Sequence, residues 1–174
     1  MAAIGDSITA GSPWDDNPEI GWPAAAASAD PRLRFTVRAV YGKRTDEIAA
    51  WLDDAAAGAE VLVVQGGVND IAQGRPVADA AANLRAMIDR GLDLGLRVAV
   101  ANVLPWNNAW PGAEAPIRAL NALIEGMGVP VLPFHETLED PDRPGRMRAD
   151  WTIEGDHPSE AGYRRLGELA FRLP

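Results

Sequence analysis

The stretch Glu60-Val61-Leu62-Val63-Val64-Gln65 limits the fold more than any other. Four consecutive apolar residues fill a strand's length with no polar position between them. A strand with one wet face alternates apolar and polar side chains. A strand without alternation must be covered on both faces, and such strands belong to parallel sheets. The segment Arg97-Val98-Ala99-Val100-Ala101-Asn102-Val103 has the same character. Phe35-Thr36-Val37-Arg38-Ala39-Val40 alternates and is rich in β-branched residues, which marks another strand. Val129-Pro130-Val131-Leu132-Pro133 is short, and its prolines place it at a sheet edge. A first, very short strand precedes Gly5.

Helical patterns separate these strands. Trp22-Pro23 followed by alanines predicts a short helix ending before Asp30-Pro31. Thr45 is placed to cap a helix over 45–57, with Ile48, Trp51, Leu52 and Ala55 inward. A long helix is expected over 77–94, with Val77, Ala81, Leu84, Ile88 and Leu92 on one stripe. Another is expected over 114–126, with Ile117, Leu120 and Ile124 inward. Ser159 should cap a last helix that buries Tyr163, Leu166, Ala170 and Leu173. Residues 134–155 read as long and mostly irregular, and a loop of that length in a compact domain is usually functional or disordered. Strand and helix alternate throughout, the pattern of an α/β fold: a five-stranded parallel sheet covered on both faces, three layers α/β/α. The 174 residues carry no linker or repeat and are expected to form a single domain, 1–174.

Composition removes several functions. The formal net charge is −9, and the arginines near residue 146 are interleaved with Asp, Pro and Gly. Nucleic acid and anionic membrane both need a basic patch, so neither is an expected partner. The chain has no cysteine and only two histidines, His135 and His157, which argues against thiol chemistry and a metal centre. No signal peptide or membrane-length apolar run is present, so a cytoplasmic location is expected. Because only Met1-Ala2-Ala3 precede Ile4, an upstream leader stays open.

Open parallel sheets bind ligands beyond the carboxyl ends of their strands. The segments that follow strands here are Gly5-Asp6-Ser7, Tyr41-Gly42, Gly67-Val68-Asn69, the loop with Trp106 and Trp110, and Glu154-Gly155-Asp156-His157. Together they supply the parts of a serine hydrolase. Ser7 is the candidate nucleophile. His157, in a turn next to a helix, is preferred over His135 as its base. Glu154, three residues before His157, can converge on the imidazole; Asp156 is the second candidate and also suits a helix N-terminus. The backbone N–H groups of Ser7 and Gly42 and the side-chain amide of Asn69 are candidate oxyanion donors. Each residue also has an ordinary reading: a capping turn at Asp6-Ser7, a strand-ending turn at Gly42, an Asx turn at Asn69.

Four blocks in order resemble the SGNH (GDSL-type) hydrolases: Gly5-Asp6-Ser7-Ile8-Thr9, Gly42, Gly67-Val68-Asn69-Asp70 and Asp156-His157-Pro158. The resemblance covers nearly the whole chain. It implies a flavodoxin-like fold, Ser7 as nucleophile, Asn69 as oxyanion donor and His157 as base, and it leaves Asp6 a structural task. The family's last block is Asp-x-x-His, and Glu154 stands at its first position. The expected activity is hydrolysis of short-chain aryl or alkyl esters, acetylated sugars among them, through an acyl-serine, with a small-molecule ester as partner and no metal or organic cofactor. Trp14, Trp106, Trp110 and Trp151 are expected to rim the site. Two other readings stand beside it: acyl transfer by the same residues, and a non-catalytic carbohydrate-binding module. A nucleotide binder fits poorly, since the first loop lacks a glycine-rich phosphate cradle.

Overall fold

In the computed structural model, which describes residues 1–11 and 20–173, five strands form one parallel sheet. They are β1 (Ala2–Gly5), β2 (Thr36–Ala39), β3 (Val61–Val64), β4 (Arg97–Ala101) and β5 (Val131–Leu132), in the spatial order β2-β1-β3-β4-β5. As the prolines implied, β5 lies at an edge.

Successive strand residues point to opposite faces, and the structure divides them accordingly. Ala2, Ile4, Leu62, Val64, Val98 and Val100 face one layer of helices. That layer holds α3 (Thr45–Ala49), α4 (Leu52–Ala56), α6 (Val77–Asp93) and α7 (Glu114–Glu125). Ala3, Val61, Val63, Ala99, Ala101 and Leu132 face the other. There pack α1 (Ser7–Ala10), α2 (Trp22–Ala29), α8 (Phe134–Leu138) and α9 (Glu160–Arg165), continued by a wide π-type turn over Leu166–Ala170. A fifth helix of the first half, α5 (Val68–Ala72), follows β3. Small alanines on the second face leave room for Trp22, whose ring meets Phe35, Phe134 and Phe171 at centroid distances of 5.6, 5.7 and 5.5 Å.

Five expectations are corrected. The helix over 45–57 breaks at Ala50 and Trp51, where the amides bond three residues back instead of four. Thr45 is its first helical residue, not its cap, because its hydroxyl is drawn to Asp70. The inner stripe of α6 is Ala80, Leu84, Met87, Ile88 and Gly91, while Leu92 is 49 % exposed. Gly91 turns the helix this way: a Cβ there would lie 2.8 Å from Leu62, so only glycine lets α6 sit so close to β3. Leu173 is likewise exposed. The stretch 134–155 is ordered. After α8 comes the hairpin β6 (Glu139–Asp140) with β7 (Arg143–Met147), then a 3₁₀ turn (Ala149–Trp151). A second small hairpin, β8 (Thr152–Ile153) with β9 (His157–Pro158), leads into α9. Among the described residues no helix is long and apolar enough to cross a membrane.

Candidate active site

Ser7 is the first residue of α1, immediately beyond β1. Gly5 makes this turn possible, since a Cβ there would stand 2.5 Å from Gln65 Oε1 and 2.6 Å from Thr9 Oγ1. Gln65, at the end of β3, accepts from the Asp6 backbone N–H at 3.2 Å and from the Thr9 hydroxyl at 2.8 Å. The Trp22 indole donates to that same hydroxyl at 3.2 Å. Asp6 caps α1, its Oδ1 accepting from the Ile8 N–H at 2.9 Å. Its carboxyl is wholly buried, and burial pushes its pKa up to about 6 against the hydrogen bonds that oppose it. The hydroxyl of the buried Tyr163 donates to the Ser7 carbonyl at 3.4 Å.

The second and third strand ends are tied to each other. Asp70, buried at the start of α5, accepts from the Thr45 N–H at 2.9 Å and from its hydroxyl at 2.7 Å. Asn69 donates from Nδ2 to the Lys43 carbonyl at 3.1 Å, and Gln73 donates to the Gly42 carbonyl at 3.0 Å. Gly42 adopts φ +69°, the left-handed region that suits glycine. Gly67, at φ +116°, leaves no room for a side chain beside Leu120.

His157 arrives from the other end of the chain. Its Nε2 lies 2.9 Å from Ser7 Oγ, across 150 positions of sequence. The β8–β9 pairing carries it, with the Thr152 hydroxyl on its carbonyl at 2.9 Å and Ser159 capping α9 just beyond. The ring is half-buried. Burial lowers its pKa below the ordinary histidine value, and the charge of Asp156 opposes that shift. The imidazole is therefore neutral at neutral pH, with a lone pair for a hydroxyl proton. Asp156 Oδ1 accepts from the Trp106 indole at 2.8 Å. Glu154 is exposed at φ +53°, and its carbonyl accepts from Asn108. His135 is buried in α8, its backbone N–H on Asn102 Oδ1 at 2.8 Å, and burial lowers its pKa too.

The four tryptophans separate. Trp106 and Trp110 meet edge to face at 5.6 Å and, with Pro111, Pro144 and Arg146, line a pocket of about 230 Å³. Trp151 instead has the guanidinium groups of Arg148 and Arg165 at 4.6 and 4.1 Å from its ring centroid, and packs on the Trp22 side of the core. Trp14 lies outside the described residues. Gln65, Thr9, the Thr45–Asp70 link and the Asn107–Asn108 pair were not singled out from sequence. Their one signal was position, since each follows or faces a strand end. Among the described residues no group of three or more His, Asp or Glu side chains is arranged to hold a metal ion.

A Ser–His pair at the carboxyl ends of a five-stranded parallel sheet defines an α/β protein built around a polarised hydroxyl. The chain belongs to the GDSL-like lipase/acylhydrolase family, whose model matches residues 3–165, and so to the ester hydrolases in general. Its fold is similar to that of several solved structures. One, described as a lipolytic protein of the G-D-S-L family from Desulfitobacterium hafniense DCB-2, has a TM-score of 0.82 at 21% identity, over 96% of this chain and 94% of that one. A member of the lipolytic G-D-S-L family from Veillonella parvula DSM 2008 has a TM-score of 0.81 at 22% identity, over 95% and 92%. The psychrotrophic esterase EstA from Pseudoalteromonas sp., inhibited by monoethylphosphonate, has a TM-score of 0.71 at 15% identity, over 96% and 91%. No match was found among curated proteins.

Proposed function

We propose that this chain hydrolyses short-chain carboxylic esters through an acyl-serine formed on Ser7. The observation that carries the reading is the 2.9 Å approach of His157 Nε2 to Ser7 Oγ. His157 takes the hydroxyl proton as Oγ attacks the ester carbonyl, and a tetrahedral oxyanion forms. The imidazolium then protonates the departing alcohol. In the second half His157 takes a proton from water, the resulting hydroxide attacks the acyl-enzyme, and Ser7 regains its proton from the imidazolium.

The oxyanion is held by the backbone N–H groups of Ser7 and Gly42 and by the Asn69 amide. One N–H of that amide is fixed on the Lys43 carbonyl at 3.1 Å, which orients the other. Glu154 or Asp156 supplies the carboxylate that favours the imidazolium, and the charge acting on the ring is that of Asp156. The Trp106–Trp110 pocket, at about 230 Å³, has neither Ser7 nor His157 in its lining, so it supports no assignment of the acyl or alcohol group.

The test uses an ethyl phosphonate ester with a p-nitrophenolate leaving group, which would leave on Ser7 a group like the one named for inhibited EstA, and a panel of aryl esters and acetylated sugars of graded acyl length. One phosphonyl group on Ser7 and turnover abolished in Ser7→Ala are expected. Undiminished turnover in Ser7→Ala overturns the reading.

A further inference from the structure

Three consecutive residues of the loop after β4 meet three consecutive residues of the turn before His157, in reverse order. The Trp106 indole donates to Asp156 Oδ1 at 2.8 Å, the Asn107 backbone N–H donates to the Gly155 carbonyl at 2.8 Å, and the Asn108 amide donates to the Glu154 carbonyl. The gripped turn is unusual. Glu154 and Gly155 both have positive φ, +53° and +85°. A Cβ on Gly155 would stand 2.8 Å from Asn108 Oδ1 and 2.9 Å from the Asn107 Cβ, so the loop closes directly over the turn. A non-glycine residue held left-handed persists only where its surroundings over-determine it.

The loop is itself fixed to the body. Val103 exchanges two hydrogen bonds with the Asn121 side chain on α7, at 2.7 and 2.8 Å. The Trp106 ring packs against the core on the α7 side of the sheet. The Asn107 side chain pairs with both backbone groups of the fully buried Met147, at 2.7 and 3.0 Å. The turn is thus referred to α7, to β7 and to the core at once.

We propose that Trp106, Asn107 and Asn108 are the positioning residues of His157: their grip on residues 154–156 aims the imidazole at Ser7. The proposal rests on the reading of His157 as base. Its chemical content is the placement of one lone pair, since an error of about 1 Å at a general base costs roughly a hundredfold in rate. In this chain the carboxylate of Asp156 is held by an indole N–H beside the imidazole, so the same contact that fixes the turn also fixes the nearest charge.

The experiment compares wild type, Trp106→Phe, Asn108→Ala and the double variant. Asn108 is exposed, so its truncation removes the grip without opening the core. On a short-chain aryl ester the double variant should lose roughly 10- to 100-fold in kcat with KM within about twofold. Nitrogen-15 NMR reads the His157 ring without any turnover, with His135 as the only other imidazole to assign. In Trp106→Phe the released Asp156 carboxylate can approach the ring, so the His157 pKa should rise. An unchanged kcat in the double variant, or an unchanged His157 pKa in Trp106→Phe, overturns the proposal. Should wild-type Ser7 fail to take the phosphonate, the ester-hydrolase reading falls instead, and the imidazole titration alone judges the grip.

Discussion

Thr45 and Asp70 form one closed unit, the buried carboxylate accepting both the backbone N–H and the hydroxyl of the threonine at 2.9 and 2.7 Å. Asn83 adds a third donor to the threonine oxygen at 3.0 Å. The unit ties the start of α3 to the start of α5, next to Asn69, one of the oxyanion donors of the proposed mechanism. Asp70→Ala should cost about 1–3 kcal/mol, because it leaves two buried donors unmatched. It should also lower kcat more than it raises KM. Urea unfolding and steady-state kinetics on the same preparation check both.

Ser7→Ala should fold as wild type does. The hydroxyl it removes touches the imidazole, while the Ser7 carbonyl keeps its bond from Tyr163. Hydrolysis should fall to background and phosphonate labelling should vanish. Intact-mass spectrometry, read beside a thermal melt, distinguishes a missing nucleophile from a missing fold.

Asp6 destabilises the folded chain once it is charged. Its pKa rises from 3.8 to about 6 on folding, so the native state holds the proton more tightly than the unfolded state. Stability due to this group is therefore present at low pH and is lost as pH rises from about 4 to about 6. Asp6→Asn removes that penalty while its amide oxygen can still accept from Ile8. Its effect on stability should be about 2 kcal/mol more favourable at pH 7 than at pH 4. Denaturant titrations of both proteins at the two pH values measure the difference; an effect equal at both would contradict it.

Asp156→Asn should lower the His157 pKa, since the Asp156 charge is what opposes burial at that ring. A base of lower pKa stays unprotonated further into acid, so the acidic limb of kcat/KM should move to lower pH. Glu154→Gln should leave the limb in place. A pH–rate profile of the two variants beside wild type reads this directly, and a limb moved by Glu154→Gln alone would assign the charge to Glu154.

The sheet was legible because burial on two faces writes itself into sequence: Val61 to Val64 tolerate no polar residue. The edge strand was legible through Pro130 and Pro133. Residues 134–155 were not, since their order comes from distant partners rather than local pattern. Asn107 clasps Met147, Glu139 accepts from the Gly145 N–H at 2.6 Å, and the hairpin has almost no apolar periodicity to advertise. Within the site, Ser7, Gly42, Asn69 and His157 stood out by residue type and by place after a strand. Gln65 and Thr9 did not, because their value lies in meeting each other across 56 positions. Trp151 was read with the other tryptophans as a rim residue. Only the two arginines beside its ring, Arg148 and Arg165, show where it is placed, and no spacing rule predicts that pair.

The serine and its histidine come from opposite ends of the chain, and the helix that follows the histidine docks on α2 so tightly that Gly167 admits no side chain beside Ala26. During synthesis, a nascent chain still short of residue 157 holds the Ser7 hydroxyl without the imidazole that lies 2.9 Å from it in the folded chain. On the proposed reading, ester cleavage begins only after the last helix has closed onto α2.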